Sequence, residues 1–438
     1  MGLSGVLAAW AKDAPARVFP VVGRDARLPV DALRDDDRLH FVDSPRSATV
    51  LLVAGHLPEA LRAPARAIHD AMAHPRATIR WSPGSDADDG GTGLGGTAVS
   101  GGAEAVIRAM VQAHQDLVLG RRDSEPDLLI DEEPAPWRGV GPYGQGGKGM
   151  TGGVPFGRPL AERAPDRDGL ELDQLPVRIG PFFPAFPPGL VLDVRLQGDV
   201  IQSLTVGDNP FEPSPAEHSG HSGVESAFRR ALDEPVSIAT LELARADHHL
   251  RWLALALHVH GLGALGRRAR RLAAGVAAVG AEDVRALGRL LERTRALGWA
   301  TAAVGVIGGD ALQQLPRGPI TRAAGIPADA RATDPAYIAL GFEPVVHDGN
   351  DARARWRQRL AEAAQSVGLA HRAGGRTSTP GQAVESPRGA LSHEASPSSA
   401  LVAELPSLLA GMEWGDAVTT VVSLDLDLEA SARIEAAA

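Results

Sequence analysis

The feature that most narrows the fold is a short run of apolar, largely β-branched residues, Ala48 to Gly55 (ATVLLVAG), followed at once by helical spacing. A run of that length ending in glycine reads as a strand buried on both faces, as parallel-sheet strands are. From Pro58 to Met72 the apolar residues Leu61, Ala65, Ile68 and Met72 recur at helical intervals. Ala77 to Trp81 (ATIRW) reads as a second strand, and Ala103 to Leu119 as an amphipathic helix. Strand, helix, strand, helix in that order predicts a small parallel α/β domain over roughly residues 15–122. Ser82 to Gly102, mostly Gly, Asp and Ser, reads as a loop.

The remainder changes character twice. Arg121 to Gly169 is a Gly/Pro-rich connector, in a chain with 50 Gly and 33 Pro. Leu175 to Gly207 alternates apolar and polar residues, which predicts a hairpin with its turn at Gly198–Asp199. Helical spacing then covers Val224–Leu232, Val236–Leu265, Arg267–Val279, Ala281–Leu297 and Asp351–Val367. Thr377–Ser399 reads as a loop, Leu401–Gly411 as a last helix, and Ala417–Leu424 as a strand or extended tail. The expected class is α/β plus mainly α. Its parts are an α/β domain over 1–122, a connector over 123–170, and a second domain over 171–438. The second domain divides into a β-rich 171–210, a helical 224–370 and a C-terminal tail 371–438.

Chemistry is limited first by the absence of cysteine from the sequence. Thiolate-held iron–sulfur clusters and zinc–thiolate sites need such ligands, so this chain holds none of its own. Net charge is −10 with no Lys/Arg block, which argues against nucleic acid as a partner. The most apolar helical stretch, Trp252 to Leu265, contains His258 and His260 and is shorter than the roughly 20 residues a bilayer span needs. Met1 to Lys12 lacks the pattern of a signal peptide. The expectation is a soluble protein that meets a membrane only through a partner.

Two motifs are discounted on context. Gly144-Gln-Gly-Gly-Lys-Gly149, inside the glycine-rich stretch 139–153, has G-x-G-x-x-G spacing but no flanking strand and helix, so it reads as a linker or docking loop. His248, His249, His258 and His260 lie on one helix, but His249 and His260 are about 16 Å apart at 1.5 Å per residue, too far to share an ion. They are expected to be structural, with His258 and His260 as candidates for a proton path. Glu217-His-Ser-Gly-His221 shows too few ligands for zinc or copper. No metal or other cofactor is assigned.

Several segments together resemble the hydrogenase-like core of respiratory complex I. Gly318 to Arg331 (GPITRAAGIPADAR), then Asp334-Pro-Ala-Tyr337 and Phe342-Glu-Pro-Val345, is similar to the signature segment of the D-type subunit of NADH-quinone oxidoreductase. Glu242 to Leu253 (ELARADHHLRWL) resembles the long core helix of that D-type protein, and Glu385-Ser-Pro-Arg-Gly389 its downstream E-x-P-R-G segment. Leu405–Leu409 and Ser423-Leu-Asp425 resemble its C-terminal end. The family-motif residues are thus Glu242, Arg245, His249, Arg322, Asp329, Arg331, Glu385 and Arg388. Pro45 to Gly55, Arg62 to Pro75 and Ala103 to Val106 are similar to the B-type subunit, the small one that carries a cluster. That similarity implies a flavodoxin-like fold for the N-terminal domain. The D-type similarity implies a helical bundle of the hydrogenase large-subunit type after it.

The departures carry the functional expectation. The places where B-type proteins supply cluster thiolates fall near Gly84 and near Ser100–Gly101. The loop that in D-type proteins sets histidines beside the quinone reads here Gly180-Pro-Phe-Phe-Pro-Ala-Phe-Pro-Pro-Gly189. Phe182, Phe183 and Phe186 have no proton to give a quinone oxygen. They read equally as a packed anchor and as a plug in a former quinone channel. Arg322, Asp329, Arg331, Glu385 and Arg388 are expected as buried ion pairs rather than catalysts.

The resemblance implies a redox-inactive structural or coupling subunit, not catalytic by itself. Its partners would be the membrane subunits of a complex I-like or antiporter-like module, with the chain peripheral on the cytoplasmic, inner face. One alternative is an active oxidoreductase subunit that binds quinone and borrows a partner's cluster. Another is a free-standing ligand-binding protein.

Overall fold

The computed structural model describes residues 11–83, 93–130, 161–165, 169–211, 225–381 and 383–435, and the backbone of 138–139 and 153–154. The buried run of the N-terminal part becomes β3 (Val50–Ala54), with β1 (Ala16–Val22), β2 (Leu39–Phe41), β4 (Ala77–Ser82) and β5 (Thr97–Ser100) around it. These make one parallel sheet in the order β2-β1-β3-β4-β5. Parallel neighbours need crossover connections: α1 (Arg27–Leu33) follows β1, α2 (Glu59–Ala71) joins β3 to β4, and α3 (Ala103–Val118) follows β5.

Successive residues of β1 and β3 serve opposite faces, as the strand period of two requires. Val18, Val22, Val50 and Leu52 face α1 and α3, packing with Val30, Leu33, Val106 and Met110. Phe19, Val21, Leu51 and Val53 face the other way, into a core shared with α2 and with the C-terminal half. The second side of the sheet is therefore finished by residues from far along the chain, among them Phe186, Leu253 and Leu257.

Two short stretches, β6 (Arg138–Gly139) and β7 (Gly153–Val154), pair antiparallel and bracket the glycine-rich loop. A second sheet follows, antiparallel in the order β11-β10-β9-β8, from β8 (Glu162–Pro165), β9 (Glu171–Ile179), β10 (Leu192–Gln197) and β11 (Val200–Val206). The β10–β11 turn is at Gly198–Asp199, where Gly198 has φ +61°. The helical part begins with α4 (Glu225–Asp233), α5 (Ile238–Val259), α6 (Gly263–Ala274) and α7 (Ala281–Thr294). Short helices α8 (Ala296–Thr301), α9 (Gly309–Gln314), α10 (Pro319–Ala323) and α11 (Pro335–Ile338) lead to the long α12 (Ala352–Arg372). After a hairpin of β12 (Val384–Ser386) and β13 (Gly389–Leu391) come α13 (Pro397–Leu409), α14 (Trp414–Leu424) and α15 (Leu428–Glu435). Helix α5 is buried around much of its circumference and packs on α6, α12 and α14.

Several expectations about elements need correction. Ala417–Leu424 is helix, not strand. Its β-branched run is buried, and Thr419 and Thr420 turn their hydroxyls back to Gly415 O (3.0 Å) and Asp416 O (2.8 Å), so the branched side chains are satisfied within the helix. Leu401–Gly411 is not the last helix, since α14 and α15 follow it. Val236–Leu265 is not continuous. Gly261, at φ +73°, lets the chain leave α5 and re-enter α6, which runs Gly263–Ala274 and not Arg267–Val279. Ala281–Leu297 divides at Arg295, which adopts φ +57° between α7 and α8. Ser82–Gly102 and Thr377–Ser399 are not all loop, since they hold β5 and the β12–β13 hairpin, and the connector Arg121–Gly169 holds β8. These strands form by pairing with partners that local composition does not show, and the sequence pattern does not announce β1 or β2 either.

Candidate functional site

The loop from Gly180 to Gly189 starts on a residue that only glycine can be. Gly180 has φ +102°, and a Cβ there would lie 1.9 Å from Leu190 O. The loop closes on itself through Gly189 N–H to Pro181 O (3.0 Å) and Phe186 N–H to Phe183 O (2.9 Å). This closure presents Phe182, Phe183 and Phe186 to a cavity of about 140 Å³. Phe183 and Phe186 meet edge to face at 4.8 Å, and each stands 6.0 Å from Trp414. The opposite wall is the α/β sheet, through Pro20 and Val22 of β1 and Arg27, Asp31 and Arg34 of α1. Helix α5 adds His248, Arg251 and Trp252, and the C-terminal part adds Arg388 and Asp425. The cavity therefore sits at the seam between the sheet and the helical part. Ion pairs hold that seam: Asp31 with Arg270 (2.8 Å) and Arg251 (3.3 Å), and Arg251 with Asp35 (3.1 Å).

The polar group of the cavity is a buried pair. His248 Nε2 lies 2.6 Å from Asp425 Oδ2 and donates to it. Asp425 caps α14 in the left-handed region (φ +56°, ψ +53°), a conformation Asp tolerates better than most residues. Burial opposes ionisation of Asp425, but His248, Arg388 and Arg359 outweigh it and hold the carboxyl well below its ordinary range. Burial lowers the pKa of His248 despite the pull of Asp425, so the ring is neutral at pH 7. In that state its one N–H is committed to Asp425, and the other ring nitrogen only accepts. Arg388 completes the group, donating from Nε to Asp425 O (2.9 Å) and pairing with Asp427 (3.1 Å).

Behind this pair lies a dense ionic network built on α5, α10 and α12. Glu242, fully buried, accepts from Tyr337 Oη (2.8 Å) and pairs with Arg331 (3.1 Å) and Arg245 (3.4 Å). Arg331 pairs with Asp329 at 2.8 Å. Arg322 faces three carboxylates, Glu385 (2.7 Å), Glu362 (2.8 Å) and Asp329 (3.1 Å). Arg245 donates to Glu385 O (2.6 Å) and Ser386 O (2.9 Å). Burial opposes ionisation of Glu362 and Glu242, but Arg322 in the first case and Arg331 in the second hold the carboxyls below their usual range. At Glu385 burial wins and raises the pKa. His249 lies 3.4 Å from Glu362 Oε2 without hydrogen-bond geometry, and burial pushes its pKa down to about 4.

The structure thus brings the eight family-motif residues into one buried region and sets the three phenylalanines at the cavity. It does not join Ser100 and Gly101, two of the cluster positions, to them. Ser100 ends β5 at the exposed edge of the sheet, opposite Ser82, and Gly101 O accepts from Trp81 Nε1 at 2.9 Å. That edge is three strands from β1, about 14 Å at 4.8 Å per strand. Gly84, most of the loop 139–153 and Glu217–His221 lie outside the described residues. His258 is exposed and pairs with Asp43 across the seam at 3.0 Å. His260 is half-buried, and burial lowers its pKa.

Sequence reasoning passes over Glu362, Tyr337 and the His248–Asp425 pairing. Glu362 belongs to a polar stripe Arg355, Arg359, Glu362, Ser366 on α12, a pattern that ordinarily marks a solvated helix face. Here the stripe is buried. The usable signal is partner composition: the facing helix α5 carries Glu242, Arg245, His248 and His249 among its buried residues.

No curated protein matches the chain. Among solved structures, a chain from the structure of the membrane-bound sulfane sulfur reductase, an archaeal respiratory membrane complex, aligns with 17% identity and a TM-score of 0.41, covering 59% of this chain and 98% of that one. At that distance the likeness bears on neither function nor partner. Residues 276–400 match the family model of the respiratory-chain NADH dehydrogenase 49 kDa subunit. That segment supplies Arg322, Asp329, Arg331, Tyr337, Glu362, Glu385 and Arg388, so the chain carries a 49 kDa-subunit-type segment at the centre of its ionic core.

Proposed function

We propose that this chain is a redox-inactive structural or coupling subunit of a complex I-like membrane assembly, in which a B-type part and a D-type part are fused. The carrying observation is the cavity. It lies where the D-type loop meets the α/β sheet, its loop side is Phe182, Phe183 and Phe186, and it encloses about 140 Å³. Sites for small organic ligands usually measure about 300–1,000 Å³. The strand order 2-1-3-4-5 supports a flavodoxin-like reading of the N-terminal part. The lack of cysteine throughout the sequence leaves no thiolate to hold a cluster that would pass electrons to the cavity. Among the described residues no helix is long and apolar enough to cross a membrane. Attachment to the inner face of a membrane would then run through partner subunits.

The second reading, an active quinone site fed by a partner's cluster, draws on one observation: His248 and Asp425 line the same cavity as Phe182. The pair is a weak donor as found, because its proton is held between an imidazole and a strongly ionised carboxylate.

One experiment separates the readings. Phe182→Ala with Phe183→Ala, and separately His248→Gln, are introduced into the native assembly. Complex recovery, thermal stability and quinone reductase rate are then measured in membranes. The structural role predicts lower stability or recovery for the Phe variant and a quinone rate that follows recovery in both. A quinone rate that depends on this chain and drops in His248→Gln at full recovery would replace the first reading with the second.

A further inference from the structure

Helices α7 and α12 flank a groove of about 1,110 Å³, separate from the cavity above. Its two rims are basic. Arg285, Arg289 and Arg293 stand four residues apart on α7, so they line one side of that helix over about 12 Å. Arg357 and Arg372 stand at the two ends of the α12 rim, about 22 Å apart at 1.5 Å per residue. Between them the floor is mainly apolar: Leu360, which packs on Gly288 of α7, and the small residues Ala361, Ala364 and Gly368 of α12.

The charge is not used up internally. Arg285 and Arg289 share Glu282, and Arg357 pairs with Glu292. Arg293 and Arg372 are exposed and make no ion pair among the described residues. The groove lining holds five arginines against one glutamate, on a chain whose net charge is −10. A local field of that sign, opposite to the whole molecule, selects an acidic ligand.

Shape decides among acidic ligands. A flat bilayer surface cannot enter a concave groove between two helices. A nucleic acid strand would find no exposed aromatic platform on this floor, since Trp356 is buried. The small residues Ala361, Ala364 and Gly368 beside Leu360 admit an apolar helix face at the 8–10 Å spacing of packed helices. The length fits about 15 residues of helix.

We propose that this groove docks an acidic amphipathic helix of a partner protein, with its apolar stripe on Ala361, Ala364 and Gly368 and its carboxylates on the two arginine rims. The inference does not depend on membership of a complex I-like assembly, and its test uses this chain alone. The probe is a fluorescein-labelled synthetic 18-residue peptide, with Leu and Ala at helical spacing flanked by Glu. Controls are the same composition scrambled and a version with Lys for Glu. Fluorescence anisotropy against the full chain at about 0.15 M salt should give saturable binding of the first peptide only, weakening as salt rises. Arg289→Glu with Arg293→Glu and Arg372→Glu should weaken it about tenfold or more, with thermal stability unchanged because all three are exposed. Ala361→Trp should abolish binding by filling the floor while leaving the charge intact. Absence of saturable binding, equal binding of the scrambled peptide, or indifference to both variants would overturn the proposal. So would arginine-dependent binding of phosphatidylglycerol vesicles, or of a single-stranded oligonucleotide, in preference to the peptide.

Discussion

The sheet and the helical core of this molecule differ in what they bury beside their apolar side chains. Around β3 the interior is mainly Val, Leu, Ile and Ala on both faces, where contacts are apolar and non-directional, and buried polar groups such as Arg76 and His69 stand at its margin. Around α5 and α12 the interior is Glu242, Arg245, Arg322, Arg331, Arg359 and Glu362, all buried and joined to partners from distant segments. The lesson lies in how each fails. Losing apolar volume leaves a void whose effect scales with its size. Losing one ion leaves its partners charged in a medium that does not solvate them. The first core degrades locally. The second holds or fails as a unit.

Arg322→Met is the strongest attempt to break that contrast. It leaves Glu362, Glu385 and Asp329 without their shared counter-charge and should destabilise the chain by about 3–5 kcal/mol in urea titration. Adding Glu385→Gln should recover part of the loss, because it removes one of the stranded charges. Two variants that simply added would show that the network does not act as a unit. Leu52→Ala comes next, at about 2–3 kcal/mol from a fully buried site in the sheet. Leu52 and Arg322 share no partner, so the combined variant should lose the sum of the two effects. A Leu52→Ala loss larger than that of Arg322→Met would reverse the comparison.

The smallest effect is on pH. Burial pushes His249 down to about 4, against an unfolded value of about 6.5. As pH falls below 6.5 the unfolded chain takes up a proton that the native ring refuses, so stability declines through that window and levels off below about 4. At pH 5 the share from this ring is about 2 kcal/mol. His248 and His260 are shifted the same way, so His249→Gln should flatten the slope of stability between pH 5 and 7 without abolishing it. An unchanged slope would mean that the ring is solvated in the native protein.

The same contrast explains what could be read from the sequence. β3, α2, β4 and α3 were legible because local apolar patterning decides them. The β10–β11 turn was legible because Gly198–Asp199 interrupts an alternating run. α14 was not, since Val418 to Val422 has strand-like composition and only burial against α5 and α12 makes it helix. The ionic core was legible in part. Arg322, Asp329, Arg331 and Glu385 stand in motif-like segments, but the pairing of Arg322 with Glu385 across 63 positions is a tertiary fact. Glu362 and the His248–Asp425 pair were invisible because a buried polar stripe and a solvated one share a spacing.

The junction between α1 and the C-terminal part has a consequence for how the chain closes. Arg27 Nη1 donates to Leu426 O at 2.8 Å, and Asp25 N–H to Glu429 Oε1 at 3.1 Å, across 399 and 404 positions. Meanwhile Phe19, Val21, Leu51 and Val53 wait for neighbours such as Phe186 and Leu257 to cover them. The sheet thus keeps one greasy face open until Phe186 and Leu257 pack on it, and its junction at α1 is sealed only by residues 426–429. Closure of this junction therefore needs Leu426 and Glu429, and truncation before Leu426 should leave the sheet's edge with α1 unsealed and more prone to aggregate.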